Sequence, residues 1–68
     1  MTVASQVKQT IASLKGTKAT LDAFYHVEQN EENRQLLENS SQQISQVIDR
    51  LENRVKVLEY EEPQYKGF

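Results

Sequence analysis

Asp22 and His26 stand four residues apart, a spacing that sets two side chains side by side on a helix, near enough to share a proton or a metal ion. Little else in the chain can join them. A bound metal needs three or four ligands, and this sequence has one histidine, no cysteine and no Glu-x-x-His pair. A charged His26 near a helix C-terminus has a plainer use, as counter-charge to the helix dipole. Ser40 and Ser41 are the next candidates: opposite Lys18 and Leu21 they would form a small polar belt near the apolar seam, a device that fixes the registry of a bundle. Joined with Asp22 and His26, the same belt could hold a small ligand or a metal, so a carrier built inside a helical bundle is the alternative function. No Gly-rich phosphate loop is present, and no nucleophile has an identifiable base,. The expectation is a non-enzyme with no catalytic residue, no cofactor and no metal.

Composition sets the frame for any such site. At 68 residues the chain is one domain at most, and a chain this small buries only about 60% of the surface its unfolded form exposes. Without cysteine it has no disulfide staple, so stability must come from elsewhere. Apolar runs reach two or three residues, whereas a secretory signal needs about 7 to 15 and a membrane span about 20. A soluble, cytoplasmic protein with no direct membrane insertion is expected. The formal charge of −2 is too mild to imply nucleic acid or anionic lipid as a partner. Residues 1–30 carry three Lys against Asp22 and Glu28, and residues 31–68 carry five basic against eight acidic side chains. These halves of +1 and −3 suit elements lying side by side.

The elements that would position the polar groups are two helices. Val3, Val7, Ile11, Leu14, Leu21 and Phe24 recur at spacings of three, four and seven, one stripe of an α-helix. Leu37, Ile44, Leu51 and Leu58 are seven apart, a heptad seam widened by Ser41, Ile48 and Val55 on the neighbouring row,. Thr2 is a candidate cap for the first helix. Asn30 is a candidate cap for the second, with Glu31 and Glu32 in the first turn where the dipole favours them. Pro63 ends the second helix by disfavouring helical backbone at the residue before it. The reading is all-α: a hairpin over 1–62, with helices over about 2–28 and 31–61 and a turn at 29–30, then a tail over 63–68. Residues whose numbers add to about 60 should pair across it. The second helix has an apolar face wider than one neighbour covers, so hairpins are expected to associate as a homodimeric four-helix bundle or a higher homo-oligomer. The expected core and interface are Val7, Ile11, Leu14, Leu21 and Phe24 with Leu37, Ile44, Ile48, Leu51, Val55 and Leu58.

Three features sit outside this pattern. Gly16 costs about 1 kcal/mol against Ala inside a helix, and is tolerated at solvent, a kink, or a close approach. Glu59, Glu61 and Glu62 crowd the wrong end of the second helix dipole, where the positive start of the first helix would offset them; an acidic contact surface is the other reading. Tyr60, Pro63, Tyr65 and Phe68 punctuate the tail with three aromatic anchors. They either cover the chain's own bundle or dock to another protein.

The opening MTVASQVKQTIASLKG, the middle QNEENRQLLENSSQQISQVIDRLENRV and the closing EEPQYKGF resemble a family of small domains of unknown function from endospore-forming bacteria. The resemblance covers essentially the whole chain, and the closing motif is its most specific part. It implies a spore setting, in the forespore or spore core, among genes for spore-membrane and germination proteins, with a spore-membrane protein as candidate partner. It supplies no catalytic residue to carry over.

Overall fold

The computed structural model describes residues 3–61, folded as two helices: α1, Val3–Val27, and α2, Glu31–Glu61. They pack along their length as a hairpin 49 Å long and 16 by 11 Å across. Among the described residues there is no strand. Thr2 and the tail positions Pro63, Tyr65 and Phe68 lie outside the described residues.

Local chemistry makes the turn. Glu28 closes the last hydrogen bond of α1, its N–H donating to the Phe24 carbonyl at 2.9 Å. Its carboxylate then accepts the N–H groups of Gln29 and Asn30, both at 3.1 Å. Asn30 caps α2: Oδ1 accepts the Asn33 N–H at 3.0 Å and the Asn30 carbonyl accepts the Arg34 N–H at 2.9 Å. Two orphan donors of the helix start, the Asn33 N–H held by Asn30 and the Asn30 N–H held by Glu28, are thereby satisfied,, and Glu31 and Glu32 occupy the favoured first turn,.

Ile11, Ile48 and Val55 form the buried centre, with Val7, Leu14, Ile44 and Leu51 half-buried against it. Ala4 and Ser5 are also buried, at the start of α1. Gly16 is exposed and has no atom within 4 Å of where a Cβ would stand, so neither close packing nor contact explains it. It is a glycine tolerated at solvent.

Interhelical polar contacts join Lys8 to Glu59 at 2.6 Å, Lys15 to Glu52 at 3.1 Å and Asp22 to Ser41 at 2.6 Å. Their numbers add to 67, 67 and 63 rather than 60. The offset has a simple cause. Helical side chains lean toward their own N-terminus, so in an antiparallel pair one set leans toward the turn and the other away from it. Side chains that meet therefore come from Cα atoms at different heights, and the offset is larger for long Lys–Glu pairs than for Asp with Ser. The Lys8 contact also places a positive charge beside Glu59 at the carbonyl end of α2, offsetting its unfavourable dipole position.

Candidate functional site

At 100° per residue, the two flanks of the hairpin differ in character. One flank carries the Lys8–Glu59, Lys15–Glu52 and Asp22–Ser41 contacts. The other is apolar: Val7, Leu14 and Leu21 from α1 lie beside Ile44, Leu51 and Leu58 from α2, all half-buried. Leu37 is half-buried on the same stripe of α2. Phe24, 55% exposed, and Leu36, 64% exposed, stand on the outer shoulders of that apolar flank near the turn, and Val47 is 41% exposed between the ends. Of the expected core and interface residues, then, Ile11, Ile48 and Val55 are enclosed, seven are half-covered, and Phe24 faces solvent in the single chain.

The polar layer gathers at Asp22. Ser41, buried in the seam, donates its hydroxyl to Asp22 Oδ1 at 2.6 Å, and Lys18 Nζ donates to Oδ2 at 3.0 Å. The Ser41 hydrogen bond, and after it that of Lys18, holds the Asp22 carboxyl below its ordinary value, outweighing partial desolvation,. An open cleft of about 300 Å³ lies alongside, lined by Asp22, Tyr25, His26, Glu38, Ser41 and Gln42. Its Asp22, His26 and Glu38 do not make a metal set: among the described residues no three His, Cys, Asp or Glu side chains are placed to hold an ion. Ser40 is half-buried on the apolar side of α2, so the belt divides, with Ser41 serving Asp22 and Ser40 lining the apolar flank.

Two contacts at the turn end escaped sequence reasoning. The Arg34 guanidinium lies over the Tyr25 ring, 4.5 Å from its centroid, and His26 packs edge-on to Tyr25 at 5.8 Å. Tyr25 and Arg34 add to 59, so the antiparallel pairing rule contained the first of these; a basic residue opposite an aromatic was the available signal. Tyr60, in the last turn of α2, is 88% exposed.

The described residues thus form a two-helix hairpin with one ion-paired flank and one apolar flank. The chain belongs to the family described as protein of unknown function (DUF1657), whose model matches residues 7–55. The matched segment covers both helical stripes except Val3 and Leu58, and leaves the closing EEPQYKGF outside it. No curated protein and no solved structure matches the chain.

Proposed function

We propose that this domain is a non-enzymatic interaction module that works as a homodimer, two hairpins closing their apolar flanks into a four-helix bundle. The observation that carries the reading is the uncovered flank itself. Half-buried Leu14, Leu21, Ile44, Leu51 and Leu58 form one continuous strip along it. A second identical strip is the self-complementary partner that two-fold symmetry provides. Spore-forming cells are the setting in this reading, supported by the resemblance of the opening and closing segments, with a spore-membrane protein as a further partner. No helix among the described residues is long and apolar enough to cross a membrane.

Light scattering after size-exclusion chromatography tests the dimer, with about twice the 7.9 kDa chain mass expected. Val47→Asp sharpens the test, because Val47 is already 41% exposed in the hairpin and a carboxylate there is costly only if another surface buries it. The variant is expected to lose dimer mass. A wild-type chain of monomer mass at micromolar concentration, fully helical with a cooperative melt, would overturn the proposal.

A further inference from the structure

We infer that the second copy docks with its turn at the same end as the first, each α1 lying over the partner's α2, and that Phe24 fills a hole in the partner's α2. The inference rests on the dimer proposed above and adds its orientation. Two-fold symmetry offers two ways to press the same flank of two hairpins together. With the axis along the helices, the turns share an end and α1 faces the partner's α2. With the axis across the helices, the turns lie at opposite ends, and α1 faces α1 while α2 faces α2.

The charges separate the two. α1 carries Lys8, Lys15 and Lys18 against Asp22, a balance of +2 with His26 neutral, and α2 carries four basic against seven acidic side chains, a balance of −3. Like-on-like stacking sets +2 against +2 and −3 against −3. The distribution within α2 adds to this, because Glu31 and Glu32 open the helix and Glu61 closes it, Glu59 being paired with its own Lys8 on the other flank. Two α2 helices running antiparallel would bring the opening acids of one toward Glu61 of the other at both ends of the bundle, an arrangement of like charges that specific interfaces avoid. In the same-end arrangement, the partner's Glu61 instead lies toward the positive N-terminal end of α1.

Packing agrees. An axis along the helices permits no sliding, so the register between α1 and the partner's α2 is the hairpin's own, which the Asp22–Ser41 contact sets at a sum of 63. Phe24 then falls on the hole framed by the partner's Leu36, Asn39, Ser40 and Gln43, four residues spaced as a coiled-coil hole requires. Ser40 supplies a small floor and Leu36 an apolar wall. The most exposed large side chains of the apolar flank, Phe24 at 55% and Leu36 at 64%, would cover one another twice by symmetry.

A spin label at the turn decides the orientation. The chain has no cysteine, so Gln29→Cys gives one labelled site per subunit at an exposed turn residue. The expected inter-label distance is below about 25 Å, since packed helices lie about 8–10 Å apart. A distance near the 49 Å length of the hairpin overturns the orientation and leaves the dimer standing; monomer mass overturns both. Phe24→Ala tests the hole separately, because the side chain is exposed in the hairpin: the expected result is dimerisation weakened about tenfold or more, and an unchanged dimer Kd overturns the placement of Phe24.

Discussion

Ser41 sets the charge behaviour of Asp22, since its hydroxyl can donate to a carboxylate but far less usefully to a neutral carboxyl. The folded value of Asp22 is lowered from its ordinary 3.8. Because the folded value lies below the unfolded one, about 3.9, the stabilisation is fully present above the unfolded value and is lost as pH falls through the folded one. A carboxyl-detected NMR titration is expected to place the Asp22 midpoint below 3.8, and Ser41→Ala should move it upward. An unmoved midpoint in that variant would assign the shift to the neighbouring charges, Lys18 first and His26 after it. The pairing of Ser41 with an acid was only partly legible in the sequence. Its place on the seam is visible from spacing, but Lys18 and Leu21 looked like its neighbours until the side-chain lean moved the contact to Asp22. Spacing sets Ser41 in the row of Ile48 and Val55, but which side of the seam Ser40 takes depends on the direction of α1 around α2.

The helices themselves were written plainly, because each rests on local rules that do not need the partner element. The stripe Val7, Ile11, Leu14 and the heptad Leu37, Ile44, Leu51, Leu58 locate α1 and α2, and Asn30 marks the start of α2 by cap chemistry alone. Exposure was harder to read. Phe24 belongs to the apolar stripe by spacing, yet it stands on the shoulder of α1, beyond the reach of a single neighbouring helix. Gly16 was ambiguous for a related reason: a glycine at a close approach and one at solvent look alike without the neighbouring element. With open space at its Cβ position, Gly16→Ala is expected to stabilise the fold by about 1 kcal/mol, raising the melting temperature by roughly 4–8 °C. It lies away from the apolar flank, so oligomer mass should not change. A fall in melting temperature would show that another surface approaches α1 at this point.

At the scale of the molecule, the few enclosed side chains among the described residues, Ile11, Ser41, Ile48 and Val55 with Ala4 and Ser5 at one end, are a slender basis for a stable fold. The interhelical ion pairs add little, because Lys15 and Glu52 are 58% and 43% exposed at the side chain and pairs of that kind contribute about 0–1 kcal/mol. Folding and association are therefore expected to be one transition, with the dimer interface supplying burial that the single chain lacks. Such a transition depends on concentration. Each tenfold rise in protein adds about 1.4 kcal/mol per dimer, and an unfolding entropy of about 2.1 cal/mol/K per residue over two chains converts that to roughly 5 °C in Tm. Circular dichroism melts spanning a hundredfold range of concentration should rise by about 10 °C on the same arithmetic. A dimer by mass whose melting temperature stays fixed over that range would mean that each hairpin is stable alone, and that the apolar flank binds its partner after folding.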